Sequence, residues 1–335
     1  MDLPRRAFLV SMAALSASAC VSGPAALASA PSEPEDVIPL WPAGLPGGVP
    51  DGLTEHIVFR DNPFGLLDRA AHDVTTPSLS VFKPARPDGS AILIIPGGGY
   101  KWVVIDKEGF EGARHFIASG AVVYVLRYRL PHQGWAAGPD APLQDAQRAM
   151  RVIRSRAKAD GVDSSRIMIM GFSAGGHLAG MLATRYGAAV YDAVDPADGQ
   201  SARPDAAALI YPVITMTRPF AHEGSRLCLI GPSPLPEAEA ANSVETLVHP
   251  AMPPVFLMHA EDDTAVPVEN ALMMHAALRA AGCSVALHLF ETGGHGFGLR
   301  GIAGTPREVW PELIAGWGRA KGIFPGDANA SGGQG

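Results

Sequence analysis

Residues 166–179 have the sequence RIMIMGFSAGGHLA, and this stretch decides the fold. Residues 167–170 are an apolar run typical of a buried strand, and a helical pattern begins directly after Gly-x-Ser-x-Gly at residues 171–175. A serine on such a strand-to-helix turn is held in strained backbone geometry, and glycines on either side leave room for neighbouring elements. The motif alone arises often by chance, but its place between a strand and a helix predicts that Ser173 is a nucleophile.

From residue 91 onward, short apolar runs alternate with helical patterns. Apolar residues recur at helical spacing over 143–157 and again over 268–278. Alternating strands and helices imply parallel pairing, and near-continuous apolar strands suit a sheet covered on both faces. We therefore predict a three-layer α/β sandwich with a mostly parallel central sheet, with edge strands added by residues 53–82. The predicted central strands are 91–95, 122–126, 167–170, 206–211, 255–258 and 285–290.

Composition excludes one class of partner. The 335 residues include 47% hydrophobic side chains and carry a net charge of -7. The chain therefore has enough apolar material for a large core, but no basic excess to bind a phosphate backbone. We expect no nucleic-acid partner.

The first 30 residues have the features of an export signal. Arg5 and Arg6 precede an uncharged stretch over 7–19 that is too short to span a bilayer. The paired arginines favour a twin-arginine signal, with an ordinary Sec signal as the alternative. Residues 26–28 offer a cleavage site, and Cys20 is a competing site of lipid attachment. We expect a soluble periplasmic or secreted protein, bound to a membrane only if Cys20 is lipidated.

The remaining chain is expected to form one domain over residues 31–325, followed by a disordered tail over 326–335. Two loop-rich stretches, 131–142 and 215–253, follow strands and are candidate walls of a pocket, the second as a small lid. Cys228 and Cys283 remain in the mature chain, and the sequence leaves open whether they pair.

A serine hydroxyl needs a base to remove its proton and an acid to orient that base. In this fold the serine comes first along the chain, the acid next and the histidine last. Asp262 and Asp263 both follow an apolar strand, and Asp263 fits better because such acids are followed, after two intervening residues, by Val-Pro. His295 lies on a glycine-flanked loop after the last strand. His177, His259 and His288 are interpreted as structural residues.

A donor pair for a developing oxyanion is the third component. Residues 96–99 have the sequence Pro-Gly-Gly-Gly and follow the first central strand, where lipases and esterases carry His-Gly-Gly-Gly. Here proline replaces the histidine. The backbone N–H groups of Gly98 or Gly99, together with that of Ala174, are the predicted donors.

These motifs together resemble the bacterial acetyl-xylan-esterase and feruloyl-esterase-like (BD-FAE-type) branch of the α/β hydrolases. The resemblance implies an exported serine esterase that removes small acyl groups, most often acetyl, from plant polysaccharides or their oligosaccharides, with no metal or organic cofactor. A xylanase label found among such relatives is discounted, because a glycosidase needs two carboxylates across the scissile bond. The matching segments are 96–100 (PGGGY), 128–131 (YRLP), 142–146 (PLQDA), 171–177 (GFSAGGH), 222–225 (HEGS), 263–270 (DTAVPVEN) and 293–298 (GGHGFG).

Substrate specificity is less constrained by the sequence. Tyr100, Trp102, Trp135 and His222 lie in predicted pocket loops, where they either contact sugar rings or pack the bases of the loops. A feruloyl or other short-acyl esterase is the first alternative, and a prolyl-oligopeptidase-like peptidase the second. A catalytically silent carbohydrate-binding protein is the alternative from another class.

Overall fold

The computed structural model describes residues 33–326 and is built on an eight-stranded sheet in the order β1-β4-β7-β5-β8-β9-β10-β11. The predicted export signal, with Cys20, and residues 327–335 of the predicted tail lie outside the described residues. The strands are β1 (Asp36–Pro39), β2 (His56–Phe59), β3 (Arg69–His72), β4 (Ser78–Phe82), β5 (Gly89–Ile95), β6 (Val103–Val104), β7 (Val122–Arg127), β8 (Val162–Phe172), β9 (Ala206–Ile210), β10 (Val255–Ala260) and β11 (Val285–Phe290).

The six predicted central strands are confirmed as β5 and β7 to β11. They pair in parallel with one another in the order β7-β5-β8-β9-β10-β11. β5, β7, β9 and β10 are buried along almost their whole length, which explains why they are continuous apolar runs. Because all six strands point the same way, their carboxyl ends lie along one edge of the sheet.

The predicted edge strands within residues 53–82 are only partly correct. β4 joins the main sheet antiparallel to β7, but the edge itself is β1, which pairs antiparallel with β4. β2 and β3 instead form a separate three-stranded antiparallel sheet with β6. Ala70 and Ala71 of β3 are buried there and pair with Val104 and Val103. This small sheet lies next to the glycine loop because β6 directly follows that loop.

Helices cover both faces of the sheet, which confirms the predicted three-layer α/β sandwich. One hydrophobic core includes side chains of α2, α3 and α6, and a second includes those of α1 and α7. No helix among residues 33–326 is both long enough and apolar enough to cross a membrane. The helices are α1 (Glu111–Ile117), α2 (Ala141–Asp160), α3 (Ala174–Arg185), α4 (Glu223–Ile230), α5 (Pro236–Ala241), α6 (Glu269–Ala280) and α7 (Trp310–Ala320).

A buried ion pair fastens α2 to the end of β7. Arg129 and Asp145 have no exposed side-chain surface, and the guanidinium Nη2 lies 2.8 Å from Asp145 Oδ1. Trp41 also donates its indole N–H to that carboxylate at 2.7 Å. A fully desolvated charge pair needs such additional hydrogen bonds to be stable. The pair explains why the YRLP and PLQDA segments occur together.

The two cysteines are separate free thiols in the described part of the chain. Cys228 lies on α4, where burial raises the pKa of its thiol. Cys283 follows α6, and its thiol is 3.4 Å from the carbonyl of His249.

Candidate active site

Ser173 occupies the sharp turn between β8 and α3, with φ 53° and ψ −119°. This is a strained conformation for a residue with a side chain. The turn is held from both sides, because the serine N–H donates to the carbonyl of Ile210 at 3.0 Å and its carbonyl accepts from the N–H of Val213 at 3.0 Å. A Cβ on Gly175 would lie 2.1 Å from the carbonyl oxygen of Ile95, so only glycine fits there. The predicted elbow thus presents its hydroxyl at the carboxyl edge of the sheet.

His295 and Asp263 are brought to the same edge by the loops after β11 and β10. Ser173 Oγ is 2.8 Å from His295 Nε2, and His295 Nδ1 is 2.6 Å from Asp263 Oδ2. Asp262, the other candidate acid, is exposed and accepts the N–H of Gly294 at 2.7 Å. The structure therefore places Asp263, and not Asp262, against the imidazole.

The Asp263 carboxylate is held in its ionised form by several donors. Burial opposes ionisation, but hydrogen bonds from His259 and His295 outweigh it and hold the pKa of Asp263 well below its usual range. Oδ1 accepts the N–H groups of Ala265 and Val266, both at 2.9 Å. His259, predicted to be structural, is fully buried, and its Nε2 lies 3.3 Å from Asp263 Oδ2. One carboxylate thus faces two imidazoles.

Three backbone N–H groups near the serine are available to a ligand. The N–H groups of Gly98, Gly99 and Ala174 donate to no other described residue. Gly98 and Gly99 line the same cleft as Ser173, and Ala174 is the first residue of α3. Gly98 has φ 128°, and a Cβ there would lie 2.2 Å from the carbonyl oxygen of Trp102. The arrangement suits an oxyanion, and that role remains a prediction.

The N–H of the first loop glycine is already used by a residue that the sequence did not indicate. Gly97 donates to Glu108 Oε2 at 2.8 Å, and the Tyr211 hydroxyl donates to Glu108 Oε1 at 3.1 Å. The same hydroxyl accepts the N–H of Gly298 at 3.1 Å, and the tyrosine ring packs edge-on against His295 with centroids 5.2 Å apart. Glu108 therefore connects the glycine loop to the histidine loop.

No local signal could have identified Glu108. It lies in a single π-helical turn (Asp106–Phe110) and is 5% exposed, yet an acid at the start of a helix is usually exposed. Its burial depends on residues far away in the sequence, such as Tyr211.

For Tyr100 and Trp135 the sequence left open whether they contact sugar rings or pack the bases of the loops, and the structure shows that both are buried and pack the loops. Tyr100 is 1% exposed and its hydroxyl is 2.7 Å from His177 Nδ1, beneath the cleft. His177 Nε2 is in turn 2.7 Å from the carbonyl oxygen of Asn242. Trp135 is buried and donates its indole N–H to the carbonyl of Leu130 at 2.9 Å. Both aromatics face the core because their polar atoms find partners there.

The hydrogen bonds of His177 define its protonation. A carbonyl can only accept, so Nε2 carries the proton and Nδ1 accepts from the Tyr100 hydroxyl. Complete burial lowers the pKa of His177 to about 4. Its neutral ring therefore joins the glycine loop, α3 and the segment 215–253.

Trp102 and His222 do line the cleft, which has a volume of about 640 Å³. Trp102 is half-buried, with the ammonium of Lys101 5.2 Å from its ring centroid. His222 Nδ1 accepts the N–H of Ser225 at 3.1 Å, so the proton of the neutral ring lies on Nε2. Burial lowers the pKa of His222, which favours that neutral form.

The segment 215–253 contains α4 and α5 and forms one wall of this cleft. Its beginning is fixed by Asn270, whose side-chain oxygen accepts the N–H groups of Ile214 and Thr215 at 2.8 and 3.1 Å. His222, Leu227 and Cys228 contribute to the wall. Movement of this wall as a lid remains a prediction.

Chemically, the arrangement can activate a serine and bind a negatively charged oxygen beside it. Among residues 33–326 no group of three or more histidine, cysteine or acidic side chains is arranged to hold a metal ion.

Comparison with known proteins agrees with this chemistry. The BD-FAE family model matches residues 79–278. The acetylxylan esterase of Xylanibacter ruminicola is 32% identical over 225 residues, which are 65% of this chain and 43% of that protein. Endo-1,4-beta-xylanase B of Butyrivibrio fibrisolvens is 37% identical over 205 residues, 61% of this chain and 32% of that protein. The chain thus spans less than half the length of these two curated relatives.

A solved structure matches over much more of its length. The acetyl ester-xyloside bifunctional hydrolase from Caldicellulosiruptor lactoaceticus is 33% identical with a TM-score of 0.70, and the match covers 87% of this chain and 98% of that one. The carboxylesterase Cest-2923 from Lactobacillus plantarum has the same fold, with a TM-score of 0.62 at 24% identity.

Proposed function

Because the chain belongs to the BD-FAE family of α/β hydrolases, we propose that it is an exported serine esterase that removes acetyl groups from plant polysaccharides or their oligosaccharides. One observation carries the proposal: a continuous chain of short contacts runs from Ser173 Oγ through both nitrogens of His295 to the carboxylate of Asp263. The acetyl preference is supported by the named activities of the Xylanibacter and Caldicellulosiruptor relatives.

Acylation begins when Ser173 attacks the ester carbonyl and His295 Nε2 takes its proton. Asp263 accepts a hydrogen bond from Nδ1–H of His295 and stabilises the imidazolium that forms. The carbonyl oxygen becomes negative and accepts N–H groups from Ala174 and from Gly98 or Gly99. The imidazolium then protonates the ester oxygen of the sugar, which leaves as a hydroxyl group, and the acetyl group remains on the serine.

Deacylation repeats these steps with water. His295 removes a proton from water, the hydroxide attacks the acetyl-serine carbonyl, and the same N–H groups bind the second oxyanion. Collapse of this intermediate returns the proton from His295 to Ser173 and releases acetic acid, which gives its own proton to solvent water and becomes acetate. Every proton and charge in the cycle is accounted for by these side chains and water.

Sugar binding is proposed to involve the cleft residues Trp102 and His222. A half-buried indole offers an apolar face to a pyranose ring, and Nε2–H of His222 offers a donor to a hydroxyl or to the acyl group. His222 Cε1 is 3.6 Å from the position of a Cβ on Gly99, so this donor lies close to the predicted oxyanion site.

Export is proposed on the N-terminal sequence alone. Arg5 and Arg6 followed by an uncharged stretch favour translocation, and Cys20 provides a lipid attachment site in the alternative. Fractionation of cells that express the wild type and a Cys20→Ala variant distinguishes the two. Release of the variant, but not of the wild type, from the membrane fraction would indicate lipidation.

The test of the activity is the variant Ser173→Ala, assayed with 4-nitrophenyl acetate and with acetylated xylan. We expect kcat to fall by about 10⁴ to 10⁶ with little change in thermal stability. A fluorophosphonate probe should label the wild type at Ser173 and leave the variant unlabelled. Retained turnover by the variant would exclude the mechanism, and absence of labelling in the wild type would favour a catalytically silent protein.

The acyl preference needs a separate measurement. Acetate release from acetylated xylan and ferulate release from feruloylated oligosaccharides are compared for the wild type, each as kcat/KM. We expect acetate to be preferred, and a strong preference for ferulate would reverse the assignment of the acyl group.

A further inference from the structure

A second cavity of about 450 Å³ opens beside His295 and adjoins the main cleft. Arg60, Lys107, His295 and Gly296 line both spaces. The second cavity is not bordered by Ser173 or by the glycine loop, so it extends from the cleft on the histidine side. Under the proposed mechanism His295 protonates the leaving alcohol, and this cavity is therefore on the alcohol side of the ester.

Two cations flank the histidine loop where it borders this cavity. The ammonium of Lys107 lies 3.6 Å from the position of a Cβ on Gly296. On the other side of His295, Cδ of Arg307 lies 2.9 Å from the position of a Cβ on Gly293. Both side chains line the cavity and both are half-buried.

Neither cation has a carboxylate within ion-pair distance among residues 33–326. Lys107 has no hydrogen bond from its ammonium to the described chain, although three donors are available. The Arg307 guanidinium lies 5.2 Å from the centroid of the Phe297 ring and makes one long hydrogen bond, 3.4 Å to the carbonyl of Gly293, and its buried Nε has no hydrogen-bond partner among the described residues. A half-buried cation left in this state gains free energy from an anionic ligand.

The other charged groups near the cavity are compensated or exposed. Arg60 and Arg300 both bind Asp68 Oδ2, at 3.0 and 3.2 Å, and Arg300 also binds Glu111 at 2.6 Å, so two carboxylates balance two guanidinium groups. The other Asp68 oxygen is buried without a hydrogen-bond partner among the described residues. The carboxylate of Glu108, the next residue along the chain, accepts two neutral donors and forms no ion pair with the Lys107 ammonium. Asp61 lies at the exposed rim. The unsatisfied charge that faces the cavity is therefore positive.

We infer that the alcohol portion of the natural substrate carries a carboxylate, as in an acetylated oligosaccharide that bears a uronic acid, and that Lys107 and Arg307 bind it. This inference rests on the proposed esterase function. A carboxylate in the cavity supplies acceptors to the Lys107 ammonium and to the free Arg307 N–H groups while the ester lies at Ser173. Because this binding involves the alcohol portion only, it selects among sugars and not among acyl groups.

The test uses a matched pair of substrates. An acetylated oligosaccharide with one uronic acid is compared with the same compound after its carboxyl group has been reduced to a primary alcohol. We expect the wild type to have a kcat/KM about tenfold higher for the acidic compound, as a charge-assisted hydrogen bond allows. This ratio should fall with increasing salt, because the rim of the cavity is open to solvent.

Substitutions test whether Lys107 and Arg307 cause the preference for the acidic compound. In Lys107→Gln and Arg307→Gln the ratio of the two kcat/KM values should approach one, whereas Lys107→Arg should keep most of it. Lys158→Gln removes an equal charge from the exposed face of α2 and should leave the ratio at the wild-type value. Because each variant is compared with itself on two substrates, partial loss of folded protein does not alter the result.

Three outcomes would overturn the inference. The wild type could hydrolyse both compounds equally, or the ratio could survive in both glutamine variants. A preference for 4-nitrophenyl hemisuccinate over 4-nitrophenyl acetate, abolished by Lys107→Gln, would place the carboxylate on the acyl side. If the proposed esterase function itself is wrong, the result is different, because no acetate is then released from either sugar or from the aryl ester.

Discussion

Replacing Asp263 with asparagine should nearly abolish activity, and the structure defines why. Oδ1 of the carboxylate accepts two backbone N–H groups, from Ala265 and Val266. Only the oxygen of the new amide can take that position, because an NH₂ group there would face two donors. The NH₂ group must therefore take the position of Oδ2, which faces His295 Nδ1.

This orientation forces the wrong tautomer on His295. With an amide donor 2.6 Å away in place of the carboxylate, Nδ1 becomes an acceptor and the imidazole proton moves to Nε2. A protonated Nε2 cannot take the proton of Ser173. Loss of the correct tautomer costs about 10⁴ in kcat in serine hydrolases, which corresponds to about 5.5 kcal/mol of transition-state stabilisation.

The assay is kcat for 4-nitrophenyl acetate, with active sites counted by phosphonate titration of the wild type. Asp262→Asn is the matched control, because that carboxylate is exposed and accepts one N–H from Gly294. We expect the control to stay within about threefold of the wild type. If Asp263→Asn kept more than about 1% of wild-type kcat, the tautomer argument would be wrong. If Asp262→Asn lost activity and Asp263→Asn kept it, Asp262 would be the functional acid.

Three further variants test other parts of the structure. Glu108→Gln cannot accept both of its hydrogen bonds, so kcat should fall about ten- to a hundredfold with KM little changed, and affinity for a trifluoromethyl ketone should fall in parallel. Unaltered ketone affinity would refute a role in positioning Gly97. His177 has a folded pKa of about 4, below the 6.5 expected when unfolded, so its contribution to stability is present above pH 6.5 and declines as the pH falls toward 4. The free energy of unfolding in urea should therefore fall between pH 7 and pH 5 in the wild type, and this fall should be about 2 kcal/mol smaller in His177→Gln. An equal fall in the two proteins would contradict this. Arg129→Met should lower that free energy by about 3 to 5 kcal/mol, because it leaves the Asp145 carboxylate buried without its cation, and a loss below about 1 kcal/mol would be inconsistent with the pair.

The parallel sheet was predictable because its physical cause lies in local sequence. Strands buried on both faces must be apolar along their length, and β5 and β9 are recognisable for that reason. The order of Ser173, Asp263 and His295 along the chain follows from the same topology, since each lies just beyond the carboxyl end of a strand.

The short antiparallel elements were not predictable in the same way. β2 and β6 have only four and two residues, and β6 pairs with β3 because the glycine loop brings it there. β1 has mostly exposed residues and no apolar run, so nothing in its sequence distinguishes it from a loop.

The direction of side chains within the loops was the second feature that could not be predicted from the sequence. Tyr100 and Trp135 lie in the loops predicted for them, but their hydrogen-bond partners, His177 and Leu130, turn them toward the core. Trp102 and His222 lie in loops of similar composition and face the cleft. Composition indicates that a loop forms a pocket, whereas tertiary contacts decide which of its side chains reach it.

The bridge through His177 has a consequence for exchanging parts between relatives. It joins the loop that precedes Trp102 to the carbonyl of Asn242, which directly follows α5 in the segment 215–253. A chimera that imports this segment from another esterase must also supply an acceptor at that point, or Nε2–H of His177 is buried without a partner. Transplanting a new segment 215–253 therefore disturbs the loop that carries the predicted oxyanion donors, unless the loop and the segment are transferred together.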